Sequence, residues 1–141
     1  MNTKKILTGG LAGGVAFLIL GGLVYGMLLK DYMAANTNQC IMRPEEEWVW
    51  WAMIMSNLAW GFLLAIIFNW SNINTAAGGA KAAAIFGLLI GICYDMLFYS
   101  MSTMYSNLNM VCIDVLVGTV VSAIGGAVIA AVMGMGNKPA A

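Results

Sequence analysis

Four long apolar stretches separated by short polar ones set the pattern of this chain. They run over about 6–29, 48–69, 77–100 and 110–135. Each holds the roughly 20 residues that a helix rising 1.5 Å per residue needs to cross a hydrocarbon core. The runs are continuous; a membrane barrel would instead show ten-residue segments of alternating polarity. The pattern predicts an all-α protein, a four-transmembrane-helix bundle in a single domain spanning 1–141. The many glycines do not oppose this, because small residues let helices approach closely in lipid. The first stretch follows Lys4 and Lys5 as a signal peptide would. Its apolar run is too long for one, and no small-x-small cleavage site follows closely, so an uncleaved anchor is expected.

Composition agrees with the pattern. Of 141 residues, 62% are hydrophobic and only 9% charged, and mean hydropathy is +0.87, whereas soluble domains carry about 25% charged residues. The net charge is zero, which leaves no basic footprint for nucleic acid. The bilayer is the expected partner.

The placement of charge gives an orientation. Lys4, Lys5, Lys81 and Lys138 fall on one side. Lys30 and Arg43 fall on the other, beside Asp31, Glu45, Glu46 and Glu47. The positive-inside rule then puts both termini in the cytoplasm of a multi-pass inner-membrane protein. Trp48, Trp50 and Trp51 mark the outer interface and Trp70 the inner one. The triplet "NWS" at 69–71 matches a glycosylation acceptor but lies on the inner side, and is discounted. In the one long loop, "MRPEEEW" reads as a helix start. Pro44 suits the first turn, and Glu45–Glu47 lie at the positive end of the helix dipole.

Shifting the first stretch by 69 lays it on the third. Gly9, Gly10, Phe17, Leu20, Gly22, Tyr25, Met27 and Leu28 meet Gly78, Gly79, Phe86, Leu89, Gly91, Tyr94, Met96 and Leu97. The second and fourth stretches match poorly. The pattern allows two tandem helical hairpins, parallel repeats about an axis along the membrane normal; shared Gly-aromatic composition is the competing explanation. In the repeat, Gly26 stands where Asp95 stands.

Small residues recur every four positions in the second half. Gly79, Ala83, Gly87 and Gly91 lead to Asp95; from Asp114 the series continues through Gly118, Ser122, Gly126, Ala130 and Gly134. Residues four apart share a helix face, and small-xxx-small ladders mark close contact in lipid. The short loop at about 101–109 makes these helices antiparallel neighbours, ladder against ladder, with Gly87, Gly91, Gly118, Ser122 and Gly126 in the seam. Asp95 and Asp114 then come together about 7–8 Å below the outer boundary. A charge at depth is costly, so partners are expected: Tyr25, Tyr94, Ser56 and Asn57 as donors, and Lys30 snorkelling back as a counter-ion. Read functionally, this is a polar or ion site open to the outside. Read structurally, Asp95 bonds a neighbouring Tyr or Ser, and Asp114 favours the positive end of its own helix.

The remaining chemistry is sparse. With no His, the commonest general base and metal ligand is missing. Three cysteines alone make a poor zinc site, and no metal or cofactor is expected. Cys40 and Cys112 both fall towards the outer side, where a disulfide would pin the loop over the helix ends. Met96, Met101, Met104 and Met110 lie nearby and suit apolar packing better than Cu(I). No Ser–His or Cys–His pair exists, so catalysis is not expected.

The stretches "LTGGLAGGVAFLILGGLVYGMLLKDYM", "GLLIGICYDMLFYSM" and "IDVLVGTVVSAIGGAVI" resemble small bacterial four-helix integral membrane proteins of an uncharacterised family, a domain of unknown function, in its Bacteroidetes forms. The resemblance implies a four-helix inner-membrane protein and no particular activity. Two classes of function stay open. One is a non-catalytic accessory or structural subunit of a larger membrane complex, or a small homo-oligomer. The other is a minimal cation or proton channel or transporter using Asp95 and Asp114. A bundle holding a lipid or quinone is a third, which no residue selects.

Overall fold

The computed structural model describes residues 2–135; Lys138 lies outside them. Helix α1 spans Thr3–Leu23 and runs on through a π-helical turn, Val24–Leu28. A short helix α2, Lys30–Asn36, follows, and the long loop contains two 3₁₀ turns, Gln39–Ile41 and Glu45–Glu47. Helices α3 (Trp50–Trp70), α4 (Ala76–Met101) and α5 (Leu108–Gly134) complete the chain. Four helices are long and apolar enough to cross a membrane. Their ends fall within about two residues of the expected boundaries, except that α1 starts three residues earlier, where Asn2 accepts a hydrogen bond from the Lys5 amide.

Local chemistry explains the other ends. Thr75 caps α4 by accepting from Gly78 N–H, and Asn107 caps α5 by accepting from Met110 N–H. Asn72 takes a left-handed conformation (φ 55°) in the turn between α3 and α4, which Asn tolerates better than most residues. The acidic loop departs from expectation. Pro44 begins an isolated 3₁₀ turn, Trp48 is extended, and α3 starts only at Trp50. Glu45–Glu47 therefore lie outside the dipole of α3. Trp50 and Trp51 at one end of α3, and Trp70 at the other, are well exposed. From Trp51 to Trp70 is about 29 Å of helix, a bilayer's thickness.

Two antiparallel pairs, α1 with α3 and α4 with α5, join through α1 against α5. Asn2 N–H donates to Asn69 Oδ1, and Gly134 packs on the Asn74 carbonyl, so Lys4, Lys5 and Lys81 gather at this basic end. The opposite end carries both longer loops. The contact of α1 on α5 has no counterpart of similar size between α4 and α3, so the two halves do not repeat one another's packing.

Backbone-close packing is confined to the basic half and the middle. Gly61 sits against the backbone of Gly10, Gly13 and Gly14; Gly126 against Ala83 and Gly79; Gly87 against Ser122; and Gly125 against the ring of Phe17. Phe17, Leu64, Phe68, Ile129 and Met133 fill the core around these contacts. Towards the loop end the helices splay. A Cβ at Gly91 would meet Val115 only at 3.5 Å, one at Gly118 would meet only the Tyr25 hydroxyl at 3.8 Å, and ones at Gly21, Gly22 and Gly26 would meet nothing within 4 Å.

Candidate functional site

A clasp closes the splayed end. Residues 37 and 105 form an antiparallel bridge. Asn38 N–H donates to the Met104 carbonyl and Ser106 N–H to the Asn36 carbonyl, both at 2.9 Å. Side chains reinforce the pairing: Asn38 Nδ2 donates to Thr103 Oγ1 and Asn107 Nδ2 to Asn36 Oδ1. Beneath it Tyr105 is buried with Met110, Val111 and Val115, and Tyr32 and Met33 of α2 pack over them.

The clasp delivers a hydroxyl to both carboxylates. Tyr105 Oη lies 3.1 Å from Asp95 Oδ1 and 2.9 Å from Asp114 Oδ2. Its one proton is donated to one of the two at a time. Burial, then the Asp114 carboxylate, pushes the Tyr105 phenol far above its ordinary range, so it stays a protonated donor. Both carboxylates are half-buried, about 9 Å from the loop-end termini of α4 and α5. Seam and carboxylates are thus adjacent, but the seam has already loosened when it reaches them.

The other expected partners divide. Tyr25, carried by the π-helical turn, interacts with Asp114 from the α1 side. Tyr94 lines the same small cavity of about 240 Å³ as both carboxylates. Ser56 and Asn57 do not reach them; they line a larger groove of about 540 Å³ between α1, α3 and α5. Asn57 Nδ2 donates to its own helix at the Met53 carbonyl, 2.8 Å away. Lys30 is not the counter-ion. It pairs with Glu45, because α2 turns it towards the acidic loop, and that pairing raises its pKa. Cys40 and Cys112 are free, exposed thiols, as is Cys93. The disulfide is not formed here: the clasp holds the Cys40 loop through Asn38, while Cys112 sits one step round α5 from buried Val111 and faces outward.

Tyr105 and Trp60 escape sequence reasoning. Tyr105 lies in a polar connector, and its only signal is its position nine and ten residues from the two carboxylates. Trp60 sits mid-helix in an apolar run, yet it walls both cavities, as do Tyr25, Gly118 and Ser122. The two spaces therefore adjoin and share these four walls, and among the described residues no lysine or arginine is part of them. Among the described residues, too, no group of three or more His, Cys, Asp or Glu converges as a metal site.

The fold is that of a helical, multi-pass membrane protein, with two neighbouring carboxylates lining a small cavity between its candidate spans. No family model, curated protein or solved structure matches the chain.

Proposed function

We propose that this is a non-catalytic protein of the bacterial inner membrane, with both termini cytoplasmic, working as a structural or accessory subunit of a membrane assembly, including one made of its own copies. One observation carries the reading. Gly22 and Gly26, four apart on the first membrane span, are exposed, and a Cβ added at either would have nothing within 4 Å. Lipid gains little from a bare glycine surface, whereas a second helix gains close approach there. The basic residues Lys4, Lys5 and Lys81 at one end support the orientation. In neutral detergent or nanodiscs, wild type is expected to run as an assembly by light scattering. Gly22→Leu with Gly26→Leu is expected to shift it towards the 15.0 kDa protomer. An unchanged mass would sink this contact.

A second reading, a cation-handling protein, is favoured by the cavity that holds Asp95 and Asp114 with no lysine or arginine in its wall. Four helices leave little room for a pathway in one protomer, so this reading too needs an oligomer. It predicts that Asp95→Asn with Asp114→Asn removes any stabilisation by sodium, or by a change of pH, in thermal unfolding of the purified protein.

A further inference from the structure

We infer that the two adjoining cavities together form a binding site for an amphiphilic organic cation, a protonated or quaternary amine carrying an apolar body. This deepens the second reading above and rests on it.

The upper chamber supplies a place for the cationic head. Asp95 and Asp114 are offered on one side, and Tyr25, Trp60 and Tyr94 wall the same space. Aromatic faces attract a weakly hydrated cation, most strongly at tryptophan. The carboxylates add charge complementarity, since no lysine or arginine answers them within the walls. An inorganic divalent cation fits poorly: calcium takes six to eight oxygen ligands, and no third acidic or thiol group converges here among the described residues. An organic cation needs no such shell.

The lower groove supplies a place for the body. Phe17, Trp60, Leu63 and Val121 line it with apolar surface, and Ser56 and Asn57 add limited polarity at its rim. Along the first span the lower groove runs from Phe17 to Tyr25, about eight residues or about 12 Å. A chain of about eight to ten carbons, or two to three fused rings, matches that length. The walls also explain the open glycines. Gly21 and Gly118 face the groove without a close packing neighbour, and a larger residue at either would fill it.

The test uses the full chain in nanodiscs, with decyltrimethylammonium below its micelle threshold as probe and empty nanodiscs as the partition control. Calorimetry is expected to show saturable binding to wild type. Affinity should fall at least tenfold in Asp114→Asn, Asp95→Asn and Trp60→Leu. A decyl chain with an uncharged sugar head should bind at least tenfold more weakly than the probe. Gly118→Leu serves where a carboxylate variant fails to fold. Its new side chain enters free space, so helicity is expected to be kept while probe binding is lost. The inference is overturned if the probe partitions equally into empty discs, or if Gly118→Leu binds it as wild type does. Stabilisation by sodium or protons with no saturable probe binding would also overturn it, while leaving the broader cation reading standing.

Discussion

Gly61→Leu is expected to separate α1 from α3 and leave little folded protein. A Cβ at Gly61 would stand 2.6 Å from the Gly10 carbonyl oxygen and 3.0 Å from the Gly13 carbonyl carbon, and closer still to the Gly14 nitrogen. These are backbone atoms of a facing helix, so no side-chain rotation relieves the clash; the helices must part. Overpacking of a tight core costs about 1–3 kcal/mol and occasionally more, and leucine here belongs at or beyond the upper end. Even Gly61→Ala should lower the midpoint of thermal unfolding in detergent. Gly21→Ala is the control within the same pair. Nothing lies within 4 Å of its added methyl, so a change within about 0.5 kcal/mol is expected. Equal midpoints for Gly61→Ala and Gly21→Ala would show that this glycine contact does not hold the hairpin together.

Tyr105→Phe should cost about 1.5–3 kcal/mol, the range for a hydrogen bond to a charged group. It removes the donor shared by Asp95 and Asp114 and leaves two carboxylates facing one another in the splayed end of the bundle. Asp95→Asn in the Tyr105→Phe background should recover part of that loss, because an amide donates to Asp114 where a carboxylate does not. A double-mutant cycle on chemical denaturation reads the coupling; a value near zero would show that the hydroxyl bridge contributes nothing to stability. Alkaline pH provides a second signature. The phenol's pKa is raised by burial and by the neighbouring carboxylates, so the folded protein holds that proton more tightly than the unfolded chain does. This contribution is intact below the unfolded value of about 10. It is lost as pH climbs from there towards the folded value. Wild type should therefore lose more stability above about pH 10 than Tyr105→Phe does.

Both expectations concern residues whose roles depend on a neighbour from elsewhere in the chain. Gly61 is one glycine in an apolar run, and its importance comes from Gly10 and Gly14 on the preceding span. The α4–α5 ladder could be read more directly, because a short loop leaves two adjacent helices little choice of partner. Gly79 and Gly126 meet in that seam. The expected reach of Lys30 to the carboxylates fails for the opposite reason. Hydropathy and snorkelling length do not reveal that α2 turns the ammonium towards Glu45. Residue counting puts Ser56 and Asn57 in the same outer half as the carboxylates, but Asn57 binds its own helix and both residues line the lower groove. Depth follows from counting residues, while direction follows from how helices pack.

By itself the amino-acid order determined the quantities that depend on one segment at a time. It set four spans through unbroken hydropathy, the gathering of Lys4, Lys5 and Lys81 at one end, and the placing of Asp95 and Asp114 at similar distances from the ends of neighbouring helices. Tertiary structure alone decided where the close packing stops. The small residues at 10–14, 61, 79–87 and 125–126 make close contacts with a facing helix; those at 21, 22, 26 and 118 face open space. Composition cannot tell the two sets apart, because a glycine permits close approach without compelling it. Only the divergence of α1 from its neighbours, and the clasp that brings Tyr105 over the gap, set two adjoining cavities beside a row of small residues, one of them walled by Asp95 and Asp114.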